Sequence, residues 1–314
     1  MLARLITRLW RGSAPLTFTG LLMIAALAVA VLGLVIDPRT ITGAPAWLKP
    51  AKFAISITIY TFTLAWIFSL LPTWVKTRRI VEWTTAIVMV LEIVIIDLQA
   101  FRGTTSHFNV STALDGVLFV TMGAAIVTQT FSTMAVAVAL WRERFADPAL
   151  GWALRLGMVI TIAGAMTGGL MTQPTGAQLD AARAGERMLV AGAHTVGAPD
   201  GGPGVFGTGW STEHGDLRVA HFVGLHALQV LPIVAVVLRR LRLNTLSRVR
   251  VTVIAAFSYF ALYGILLAQA FRGQSVLLPD GLTLAMFGAW AAATAIVAAV
   301  SVVRPTVDGL RSAV

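Results

Sequence analysis

The sequence predicts an all-α integral membrane protein: eight transmembrane helices in a tandem 4+4 parallel duplication, with a pseudo-two-fold axis along the membrane normal. Three observations predict it. Apolar residues make up 57% of the 314 residues and charged residues 12%, and the mean hydropathy of +0.81 is far above that of a water-exposed domain. Mostly apolar runs of about 20 residues, enough to cross ~30 Å of hydrocarbon at ~1.5 Å per residue, recur along the chain. The string QAFRG stands at 99–103 and again at 269–273.

The runs fall near 16–37, 51–72, 80–101, 113–141, 152–171, 218–238, 251–271 and 281–303. A basic segment, 1–15, precedes the first. It resembles the n-region of a signal peptide, but the apolar stretch behind it is too long and lacks a cleavage end, so it reads as leading into a retained span. An inside N-terminus gathers Arg4, Arg8, Arg11, Lys76, Arg78, Arg79, Arg142, Arg144, Arg239, Arg240, Arg242, Arg248, Arg250, Arg304 and Arg311 on one side. These are 15 of the 24 Lys and Arg, so the positive-inside rule predicts a multi-pass plasma-membrane protein with both termini cytoplasmic, including a tail at 304–314. The formal charge of +10 then reads as a topology signal and an attraction to anionic lipid. No basic stripe interleaved with aromatics suggests nucleic acid. The absence of cysteine excludes disulfides, thiolate metal sites and cysteine nucleophiles, leaving His, carboxylate or amide to hold any cofactor.

The repeat organises these elements. "LKPAKF" at 48–53 faces "LRVAHF" at 217–222 at an offset of 169, beside the offset of 170 for QAFRG. "DGVLFVTMGA" at 115–124 faces "DGLTLAMFGA" at 280–289 at an offset of 165, so about five extra residues, His107 among them, sit in the first outer turn. The expected units are 16–141 and 152–303, with an outer insertion at 172–217 in the second. That insertion contains a short surface-helix pattern, "AQLDAARAGERMLVA", and a glycine-rich "GPGVFG" that no strand precedes, so no nucleotide is expected. His194 and His214, within it, read as surface residues. Trp47, Trp74, Trp141, Trp152 and Trp210 near span ends read as interfacial anchors.

Ionisable groups in hydrocarbon are costly, so each raises a functional hypothesis. The QAFRG strings mark equivalent outer corners where Arg102 and Arg272 can clamp Asp115 and Asp280, or present a paired anion site. Counted inward from Arg102, Asp97 is ~7.5 Å deep and Glu92 ~15 Å deep. Lys52 aligns with His221 and Asp97 with Leu267, so the cation and the acid disappear together, as expected of an ion pair. Glu92 aligns with Leu262 and His226 with Ile57. These unmatched groups are expected to converge across the axis, with proton affinities perturbed enough for proton transfer or metal ligation. Gln99 shares a helix face with Glu92, and Gln229 lies near His226. Pro232 should kink the sixth span beside them. Ser56, Tyr60, Tyr259 and Tyr263 read as helix-packing hydroxyls.

In architecture alone, eight helices in two parallel halves with histidines in the sixth helix resemble the heme A synthases. The resemblance implies heme held by histidines in the second and fourth helices of each half. Here His221 and His226 lie in the sixth span, Lys52 occupies the second, and the fourth and eighth have no histidine, which leaves a single heme or metal.

The expected site is polar, in the outer half between the repeats. Glu92 and His226 are the candidate reactive groups, with Lys52, Asp97, Gln99, Arg102, His221, Gln229, Gln269 and Arg272 around a small molecule or cofactor. His221, His226 and His107 are the candidate ligands of heme or a divalent metal. This constellation predicts a metal- or heme-binding membrane oxidoreductase; the alternatives are a proton-coupled small-solute transporter and a non-catalytic scaffold. The lipid bilayer is the expected partner in each case.

Overall fold

The computed structural model describes residues 2–303; the expected tail at 304–314, with Arg304 and Arg311, lies outside them. The described residues are predominantly helical, and among them eight helices are long and apolar enough to cross a membrane. The chain opens with α1 (Leu2–Gly12), within the basic segment 1–15. Arg4, Arg8 and Arg11 are exposed on it while Leu9 is buried, the division expected of a helix lying along an interface.

The spanning helices are α2 (Ala14–Ile36), α3 (Leu48–Phe68), α4 (Val75–Arg102), α5 (Ala113–Arg142), α6 (Pro148–Met171), α8 (Leu217–Leu238), α9 (Thr245–Phe271) and α10 (Gly281–Val303). Most starts are chemically marked. The side chains of Ser13, Thr112, Asp147, Asp216 and Asn244 each accept a first-turn backbone N–H, satisfying donors that a helix leaves open. α8 continues through Pro232 as a single helix. Short strands β1 (Thr40–Ile41) and β2 (Ala44–Pro45) form a hairpin between α2 and α3.

The long connection after α6 carries α7 (Gly176–Arg183), closed by a capping box at Thr175 and Gln178. α7 is shorter than its apolar pattern suggested, and the chain turns at Gly185 with φ 89°. Strands β3 (Thr195–Val196) and β4 (Gly215–Asp216) then tie the connection's second half to the start of α8.

A core at the α1 end draws Leu9, Leu16, Phe68, Val81, Leu140, Met158 and Leu228 into one cluster. It joins α1 to α5 with α6 and α8. Small residues bring α6 and α8 together: a Cβ added to Gly164 would lie 2.6 Å from the Gly224 carbonyl carbon. Close backbone approach is how helices associate where lipid supplies no hydrophobic drive. Gly164→Ala is expected to cost about 1–3 kcal/mol through overpacking against a neighbour that is backbone and cannot rotate away; thermal unfolding in detergent measures it.

Outward-facing positions are strongly apolar, including Val35, Ile80, Ile87, Phe101, Val120 and Phe131. An apolar girdle of this extent suits lipid and would aggregate in water. Tyr259 and Tyr263 donate to the carbonyls of Val223 and Ala163, and Tyr60 meets Thr133 and Gln129, as packing hydroxyls do. Ser56 is exposed.

The two QAFRG corners are built alike. Gly103 (φ 75°) and Gly273 (φ 72°) both take the left-handed conformation that ends a helix sharply and disfavours a Cβ. Gln99 and Gln269, both buried, donate to the carbonyls of Thr105 and Ser275, six residues on. Arg102 pairs with Asp115 at 2.6 Å, and Arg272 pairs with Asp280. The string thus encodes a folded-back corner: a buried amide, a left-handed glycine and an arginine clamp.

Candidate functional site

The start of α3 supplies the centre. Lys49 and Lys52 are three residues apart, hence on one helix face. The Lys49 Nζ lies 3.0 Å from His107 Nδ1 and 5.9 Å from the centre of the Phe53 ring. With Lys49 as an ammonium, which only donates, Nδ1 is the acceptor and the imidazole proton sits on Nε2. His107 lies in the turn between α4 and α5, followed by Phe108 in a left-handed conformation, φ 64°, which is strained for a non-glycine residue. The Phe108 ring packs against His107, Phe119 and His194.

The long connection closes over this centre. Asp200 accepts from the His194 and Thr195 backbone N–H groups and pairs with His194 Nδ1 at 2.7 Å. Lys52 donates to the Thr208 carbonyl at 2.7 Å. Arg218, paired with Asp216, also donates to the Gly209 carbonyl. On α8, His221 Nδ1 donates to the Gly164 carbonyl at 2.7 Å, which leaves its Nε2 as an acceptor.

Charge accumulates here. Lys49 feels Lys52, Arg218, Glu92 and Asp200, while His107 feels Lys49, His194 and His221. Asp216 and Asp200 are already engaged by Arg218 and His194. Among the described residues neither lysine forms a salt bridge. The cluster is therefore half-buried, walled by aromatic rings and richer in cationic groups than in free carboxylates.

Burial, with the positive charge of Lys49 next, holds the His107 pKa well below the ordinary imidazole range. Burial also lowers that of His194, in spite of Asp200. For Asp200, burial alone would raise the pKa, but the contacts with His194 and the backbone outweigh it and bring it well below the usual carboxylate range. The unfolded imidazole binds a proton near pH 6.5 and the folded one resists it. Stability is thus complete above pH 6.5 and falls as the pH drops below it, by at most about 1.4 kcal/mol per pH unit per histidine. His107→Gln, which keeps an acceptor for Lys49, is expected to lessen the loss between pH 7 and pH 5; thermal unfolding across that range checks it.

On α4, Glu92 is 2% exposed, with both carboxyl oxygens buried and without a hydrogen-bond partner. The charge acting on it is Lys49. A buried polar group without a partner costs about 1–3 kcal/mol and calls for an explanation.

Several expectations need correction. Lys52 and Asp97 do not pair: Lys52 is taken by the Thr208 carbonyl, and Asp97 Oδ1 is buried without a partner. The folded loop offers an acceptor that helix spacing cannot reveal. Glu92 and His226 share no bond either. His226 packs against the Phe222 ring at 4.2 Å, and Gln229 donates to Thr63. Gln99, Arg102, Gln269 and Arg272 are engaged in the corners. His194, read as a surface residue, is half-buried and bonded to Asp200. No group of three or more His, Cys, Asp or Glu among the described residues could hold a metal ion, so His107, His221 and His226 do not form a shared ligand set.

Sequence reasoning missed Lys49, His194, Asp200 and Arg218. Lys49 had a signal, its spacing from Lys52 in "LKPAKF"; the others depend on a loop fold that carries no periodicity.

The fold and the site define a polytopic helical membrane protein with a cationic, histidine-lined centre beneath a folded loop. Comparison with protein-family models, curated proteins and solved structures returns no match.

Proposed function

We propose that this chain is a proton-coupled carrier of a small anionic solute, recognised through a carboxylate or similar group at Lys49 and Lys52. The observation that carries the reading is the buried Glu92, whose carboxyl oxygens have no partner and on which the charge of Lys49, itself bonded to His107, acts. An entering anion competes with Glu92 for Lys49. Proton exchange at Glu92 is then coupled to whether Lys49 faces the acid or the solute, which links solute movement to protons. His226, with Glu92 one of the two titrating groups expected from the sequence, has a secondary place near the middle of α8.

The architecture in this reading is the tandem duplication, 16–141 against 152–303, related by an axis along the membrane normal and rocking about the site. Support comes from the like-built QAFRG corners and the aligned strings. The arginine distribution supports cytoplasmic termini and a plasma-membrane location.

The test is stabilisation of the purified protein by a panel of short mono- and dicarboxylates. At least one is expected to raise the unfolding temperature, and Lys49→Gln to abolish the effect. A panel without effect on either protein refutes the reading. A second reading rests on His221, whose Nε2 is left as an acceptor by the Gly164 carbonyl, as in an imidazole oriented to ligate a single heme or metal of a membrane oxidoreductase. A Soret band that disappears in His221→Ala would favour it.

A further inference from the structure

Where α1 meets α2 and α4, a groove of about 1110 Å³ opens on the outside of the bundle. Trp10, Phe18, Trp83, Ile87, Val90 and Val94 line it, and most are exposed. At its α1 end stand Arg78, Arg79 and Glu82. Glu82 accepts from Ser13 at 2.7 Å. Arg78 donates through Nη2 to the Gly12 carbonyl at 2.7 Å, yet its Nε is buried without a partner. Arg79 is exposed, and the exposed Arg4, Arg8 and Arg11 of α1 lie at the same end of the molecule.

Apolar residues extend along α4 from the arginines to Val94, ~22 Å at 1.5 Å per residue. That is the depth of one leaflet with its headgroup layer, half of about 40–45 Å. A bulk acyl chain would need only the apolar wall. The two arginines at headgroup depth outnumber the one acid of the lining, Glu82, and select a negative charge at the wall's polar end.

We propose that this groove retains one anionic phospholipid, its acyl chain along α4 and its phosphate at Arg79 and Arg78. The lipid would join α1 to the bundle, a role distinct from solute recognition at Lys49.

The experiment uses the full-length protein, stripped of lipid in detergent and given phosphatidylglycerol or phosphatidylcholine, with bound lipid counted by native mass spectrometry. One phosphatidylglycerol is expected to remain under conditions that remove phosphatidylcholine. Arg79→Ala is expected to lower its retention about fivefold, the effect of one basic residue near an anionic surface. Ile87→Trp, which fills the wall and leaves the charge intact, should displace it. Both positions are exposed, so the fold is left intact, and Arg78 is spared because it bonds Gly12. Equal retention of the two lipids, or retention unchanged in Ile87→Trp, overturns the proposal. Full displacement by glycerol phosphate or inorganic phosphate overturns it as well, since the acyl wall would then contribute nothing.

Discussion

Replacing Glu92 with leucine is expected to make the protein more stable and, if the proposed carrier function holds, to abolish proton-driven uptake. The carboxyl is buried with neither oxygen hydrogen-bonded, so its removal discards a desolvation cost and leaves no hydrogen-bond partner stranded, while Lys49 keeps its bond to His107. A gain of about 1–3 kcal/mol follows from replacing an unsatisfied polar group by an apolar one of similar volume. Proton-driven uptake into liposomes should fall at least about 100-fold, the lower range for loss of a positioned proton-transfer group. Glu92→Gln should retain solute binding while removing its pH dependence. The combination separates function from structure: an acid kept only to lock helices together would destabilise when lost. A marked fall in the unfolding temperature of Glu92→Leu would therefore support the scaffold reading.

Arg102→Ala and Arg272→Ala are expected to differ widely although both remove the arginine of a QAFRG corner. The Asp115 side chain is 3% exposed, and its clamp leaves Arg102 31% exposed. Removing the guanidinium strands a buried carboxylate, with a cost of about 3 kcal/mol. Donors from Gln99 and Thr112 remain, which keeps the loss at the lower end for a broken buried pair. At the second corner Asp280 is 40% exposed, so water replaces the lost partner and screens the charge. Arg272→Ala should unfold at nearly the wild-type temperature. Equal losses in the two variants would show that corner geometry, rather than burial of the acid, governs the contribution.

The site was only partly legible in the sequence. Counting along α4 gave Glu92 a distance from the corner, because a helix of known rise converts residue number into length, but that count says nothing of the side to which it points, and its burial in the bundle comes from the structure. Pairing failed for Lys52 with Asp97 and for Glu92 with His226, because spacing along one helix says nothing of the rotation of its neighbour. Lys49 escaped notice as the first turn of a span, where basic residues usually reach out to water. Here the folded connection covers it. The corners were legible because all their parts lie within about twenty residues of one another, so local geometry suffices.

By itself the sequence determined the membrane-spanning helical class, the approximate extent of eight spans and the clamped corners, since hydrophobic length, charge distribution and short-range bonds are written along the chain. Only the tertiary structure decided which ionisable groups meet. The loop over Lys49, Lys52 and His107 and the close approach of α6 to α8 depend on contacts between distant segments, and there burial and competing backbone acceptors, rather than periodicity, choose the partners.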